Sequence, residues 1–99
     1  MERVAIIGIV RSSATGEALP YATVKAGWSQ FEGTSMQTLS ERRMESQVTA
    51  NENGKFLVCR LPPTTLLTLV VETQGQEGTP VQVRTGDSGF TVVTLPFPG

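Results

Sequence analysis

Histidine is absent from the 99 residues and cysteine occurs once, as Cys59. Those two counts exclude a histidine proton shuttle, a Cys/His metal cage and an internal disulfide. Aspartate is nearly missing as well. Asp87 stands alone beside eight dispersed glutamates, too poor a set for calcium ligation or a paired-carboxylate active site. Charge of one sign does not accumulate either: eight Lys and Arg against nine Asp and Glu leave a formal net charge of -1. Neither nucleic acid nor an anionic membrane surface is therefore an expected partner. No apolar run approaches the roughly 18 residues of a membrane-spanning helix. The run from Val4 to Val10 lacks the basic flank and cleavage site of a signal peptide. Composition thus predicts a protein that is not an enzyme and carries no cofactor and no metal.

What is present is turn and strand chemistry. Ninety-nine residues allow one domain, spanning 1–99. Thirteen Thr and eleven Val against six Ala favour a pleated, half-buried surface over a helix. The first predicted strand, Val4 to Arg11, is apolar at both alternating sets of positions and so is expected to be covered on both sides. The second, Tyr21 to Trp28, alternates Ala22, Val24, Ala26 and Trp28 against Tyr21, Thr23 and Lys25. Residues from Gly27 to Glu41 show no clean period and read as a long loop, with a helical turn near Met36 to Arg43. Strand three is expected at Arg43 to Thr49. Asn51-Glu52-Asn53-Gly54 then predicts a tight hairpin to strand four, Lys55 to Arg60, which Leu61-Pro62-Pro63 ends. Thr65 to Thr73, Pro80 to Thr85 and Phe90 to Leu95 complete the set, and Pro96 to Gly99 reads as an extended exit. Seven short strands with turns between them predict an all-β fold, a seven-stranded Greek-key β-sandwich.

Three stretches carry a resemblance. Gly8-Ile9-Val10 with Thr15-Gly16-Glu17-Ala18-Leu19-Pro20-Tyr21-Ala22-Thr23-Val24, then Thr49 to Phe56 followed by Leu61-Pro62-Pro63, then the closing strand to Leu95, resemble the carboxypeptidase regulatory-like domains. The chain departs from that pattern at Ala18, Ala50 and Thr64, where proline, aspartate and glycine are usual. The resemblance implies a transthyretin-like sandwich that serves larger proteins as an accessory module. A hydroxyisourate hydrolase among the relatives of that sandwich relies on histidines, which this sequence does not have.

The candidate contact residues fall into two groups. Tyr21, Trp28 and Phe31 lie around the long loop and could form an aromatic platform for a glycan or peptide; equally, Trp28 continues the inward alternation and could cap the core. Ile7 and Ile9 are interface candidates if their face is uncovered. Cys59 is expected to be a buried, inert thiol, and Glu41, Arg42, Arg43 and Glu45 a solvated charged stretch. The expected partners are neighbouring domains or another protein, in an extracytoplasmic setting. A carbohydrate- or peptide-binding module using Trp28 and Phe31 is the alternative.

Overall fold

Apolar side chains at every second position need a second layer to bury against, and this chain supplies one from itself. The computed structural model describes residues 3–32 and 40–97, with eight strands and no helix among them. They are β1 (Val4–Ser12), β2 (Thr23–Glu32), β3 (Ser40–Thr49), β4 (Lys55–Leu61), β5 (Leu66–Thr73), β6 (Gln76–Glu77), β7 (Val81–Arg84) and β8 (Phe90–Phe97). A small sheet has the order β4-β1-β8, and a larger one the order β3-β2-β5-β6 with β7 also on β5. The two sheets form an all-β sandwich. Its core takes Val4, Ile6 and Val10 from β1, Val24 and Ala26 from β2, Leu67, Leu69 and Val71 from β5, and Leu95 and Phe97 from β8. These are the inward sets that alternation picks out, so register follows from burial.

The small sheet has an unusual centre. β1 runs antiparallel to β4 and parallel to β8, with Gly8 opposite Phe56 on one side and Val93 on the other. The buried Phe56 ring lies across Gly8, where a methyl group would overlap it.

Several expectations need correction. The Asn51 to Gly54 turn does not close a hairpin, because β3 belongs to the large sheet and β4 to the small one. Asn51 Oδ1 accepts the N–H groups of Asn53 and Lys55, and Gly54, at φ 74°, donates to Asn51 O. The turn is thus satisfied internally, and the Val10 N–H donates to Gly54 O at 2.9 Å, fastening the corner to β1. The true hairpin arms are β2 and β3, paired from Thr23↔Thr49 to Glu32↔Ser40. The expected long loop shrinks accordingly, and residues 40–43 of the expected helical turn are strand; its remainder, from Met36, lies outside the described residues. β1 is covered on its inner face only, with Ala5, Ile7 and Ile9 partly exposed. The exit reading fails at Phe97, which is 5 % exposed and ends β8 in the core.

Thr85 holds the corner after β4. Its hydroxyl is buried, accepts the Thr65 N–H at 2.8 Å and donates towards Pro62 O at 2.9 Å. This fixes Thr64 at φ 50°, with its N–H donating to Gly86 O. A β-branched residue in the left-handed region costs about 1–2 kcal/mol, and the Thr64 side chain is exposed. Thr64→Gly should therefore stabilise the domain by about 1 kcal/mol, raising Tm by roughly 4–8 °C in calorimetry. An unchanged or lower Tm would count against the left-handed conformation.

Candidate functional site

The outer face of the small sheet is the candidate, and it is built from both alternating sets of β1 being apolar. The inward set goes to the core and leaves the other set facing away. Register places Ile7 between Leu57 and Val92, Ile9 between Lys55 and Thr94, and Ala5 beside Phe90. Val92 is 73 % exposed, Phe90 66 % and Leu57 49 %. Isolated exposed apolar residues are ordinary, but a contiguous set on one face marks a contact surface. β1, β4 and β8 contain no Asp or Glu, whereas Arg11, Lys55 and Arg60 are exposed on them. Among the described residues the nearest carboxylates in sequence, Glu17, Glu52 and Asp87, belong to the bounding turns and loops. The face is apolar at its centre and basic at its margin. A depression of about 540 Å³ adjoins it, lined by Ile7, Val48, Lys55 and Leu57 among others.

Cys59 is exposed, not buried. Alternation from the inward Phe56 and Val58 turns it outward with Leu57, and the alternation breaks only one residue later, where the β1–β4 register shifts between Val4↔Leu61 and Ile6↔Val58. Arg60, at φ 60°, supplies the extra residue of this bulge, and both Cys59 and Arg60 end up in solvent. The bulge leaves Leu61 inward and fully buried.

Sequence reasoning named Ile7 and Ile9 and missed Leu57, Phe90 and Val92. The signal for them was weak but present. Leu57 falls between the inward Phe56 and Val58, and Val92 adjoins the core-packed Val93, so each had to face the other way.

Tyr21 and Trp28 are not assembled. Tyr21 precedes β2 rather than starting it, in a turn at φ 59°, and is 66 % exposed. Seven residues further along, Trp28 is displaced by about 23 Å at the usual strand rise. Trp28 lies opposite Met44 and packs half-buried against the core. Its indole Nε1 is buried with no hydrogen-bond partner among the described residues. Phe31 has its backbone in β2 opposite Glu41; its side chain lies outside the described set.

The outer face of the large sheet is polar. Lys25 Nζ lies 2.9 Å from Glu72 Oε2 and 3.8 Å from Glu77 Oε1. The hydrogen bond and charge of Glu72 raise the Lys25 pKa above its ordinary value, and Glu77 adds to this. Ser29 Oγ donates to Glu41 Oε1 at 2.7 Å. Gly27, between Lys25 and Ser29, opens a shallow depression of about 880 Å³ over the sheet. Lys25 and Glu77 in its wall are paired with each other, Leu66 and Val70 also line it, and among the described residues no group of three His, Cys, Asp or Glu could hold a metal ion. Against known proteins, no family model and no curated protein matches this chain.

Proposed function

We propose that this domain is a non-catalytic accessory module of the carboxypeptidase regulatory-like kind, a transthyretin-like Greek-key sandwich that spaces, stabilises or docks a neighbour. The single observation in favour is the uncovered apolar face of Ile7, Leu57, Phe90 and Val92. A neighbouring domain covering it would remove these side chains from water, at about 25 cal/mol for each Å² of apolar surface. Support for the family reading comes from the jobs its motif positions hold. Gly8 makes room for Phe56, Gly54 turns the corner onto β1, and Thr64 occupies a left-handed position suited to the usual glycine. Seven of the strands, setting aside the two-residue β6, divide between the sheets as β1, β4 and β8 against β2, β3, β5 and β7, a distribution that suits a Greek key. The extracytoplasmic setting rests on the resemblance alone. The glycan- or peptide-binding alternative draws no support from Tyr21 and Trp28, of which the first lies in the turn before β2 and the second within that strand.

Cys59 provides an intrinsic footprint of this face, since Leu57 precedes it by two residues on β4. In the 99-residue chain its thiol should react as fast as in the denatured protein. In the product of the complete reading frame the rate should fall about tenfold, equivalent to roughly 1.4 kcal/mol of cover. Equal rates in the two, or a reading frame that adds no neighbour, would sink the docking role.

A further inference from the structure

We propose that β8 pairs with β8 of a second copy of this chain, antiparallel about a two-fold axis at Val92, so that the two small sheets become one continuous sheet. The inference stands apart from the docking reading and uses the edge of the sheet rather than its face.

The edge geometry comes from two bonds. The Ala5 N–H donates to Gly89 O at 3.2 Å and the Ser13 N–H to Phe97 O at 2.9 Å. Together with the parallel register, they turn the odd-numbered residues of β8 towards β1. By alternation, the main-chain groups of Phe90, Val92 and Thr94 point the other way. Among the described residues no strand pairs with that side. Pro96 has the same outward parity, where its missing N–H costs nothing.

The remaining edges are guarded in the ways natural sheets use. β3 carries Glu41, Arg42, Arg43 and Glu45, while β4 has Lys55 and the bulge at Cys59 and Arg60. β6 has two residues and β7 four. β8 instead offers eight residues, Phe-Thr-Val-Val-Thr-Leu-Pro-Phe, without a single charge. An uncharged strand of this composition complements its own copy, and a formal net charge of -1 opposes the approach very little. A strongly charged strand would instead bring its side chains beside Phe90 and Val92.

Hydrogen bonding selects the register. With the axis at Val92, Val92 bonds its own copy and Phe90 bonds Thr94 of the other protomer. Every outward N–H and C=O from Phe90 to Thr94 is then satisfied. An axis at Thr94 would set Pro96 against Val92 and leave the Val92 C=O of that pair without a donor. An axis at Phe90 would set Val92 against Ser88, outside the strand. The chosen register also brings Val92 against Val92 and Phe90 against Thr94 on the outer face, as favourable β-branched and aromatic neighbours. The guarded outer edges then stop growth at a closed dimer.

Light scattering after size exclusion, or sedimentation equilibrium, should give a mass approaching twice 10.6 kDa as concentration rises. Val92→Lys, at a position 73 % exposed, should remain a monomer yet keep the circular dichroism of the parent and the Tm that the parent shows at concentrations too low for it to pair. In a Cys59→Ser background, Val92→Cys should form an intermolecular disulfide under mild oxidation, because directly paired residues have Cα atoms about 5.5 Å apart. Thr94→Cys in that background should not, since its counterpart is Phe90. A monomer at every concentration, open-ended aggregation, a dimer that survives Val92→Lys, or Thr94→Cys cross-linking as readily as Val92→Cys would each overturn the proposal. If Val92→Lys does not fold, the two cysteine variants decide the question.

Discussion

Phe56→Ala should lower the stability of the domain by about 4 kcal/mol and its Tm by roughly 16–30 °C. The ring is 4 % exposed and packs in the core from the strand next to β1. Removing it discards its transfer free energy and leaves a cavity whose walls are backbone-anchored on both sides, with Gly8 contributing no side chain to fill it. A small sandwich holds only about 5–15 kcal/mol in total, so this single change takes a large share. Urea unfolding at unchanged m-value is the measurement, and a loss below about 1 kcal/mol would show that the ring is not part of the core.

Gly8→Ala should come next, at about 1–3 kcal/mol, by overpacking rather than by cavity. A methyl group built there meets Phe56 Cζ in overlap, Phe56 Cε1 at 2.7 Å and Val93 Cγ2 at 2.8 Å. Both neighbours are fixed by register on the flanking strands, so neither can withdraw without shifting its strand. The two predictions are coupled. In a Phe56→Leu background the ring tip is gone, and Gly8→Ala should cost less by about 0.5–3 kcal/mol in a double-mutant cycle. Simple additivity would mean that Gly8 is needed for some reason other than the ring.

Legibility in the sequence followed the range of the interaction. The inward sets of β2 and β5 could be read directly, because alternation is a property of one strand and needs no partner. Ile7 and Ile9 were legible as a possible surface for the same reason: two apolar faces on one strand leave one of them over. Leu57, Phe90 and Val92, which complete that surface, were not, because only the pairing of β1 with β4 and β8 brings them alongside. Cys59 was misjudged because its burial was argued from the small apolar character of a free thiol, whereas alternation with the inward Phe56 and Val58 turns it out to solvent on the side of Leu57. Phe97 was misjudged because prolines on either side suggest an exit. Pro96 faces the open edge, so it does not interrupt the ladder that carries Phe97 into the core.

The Asn51 to Gly54 turn divides the two kinds of information. The sequence by itself determined that the chain bends there, since asparagine and glycine accept the required φ values and the side chain of Asn51 can close the turn. It did not determine what the bend joins. Only the tertiary structure decided that β4 leaves β3 for β1, because that choice depends on the Val10 N–H finding Gly54 O and on Phe56 finding the space above Gly8. The same holds for function. The lack of histidine and the single cysteine limit the chemistry by counting alone. The exposed face and the uncharged edge of β8 exist only because strands far apart in sequence lie side by side, and long-range pairing is what local preferences cannot encode.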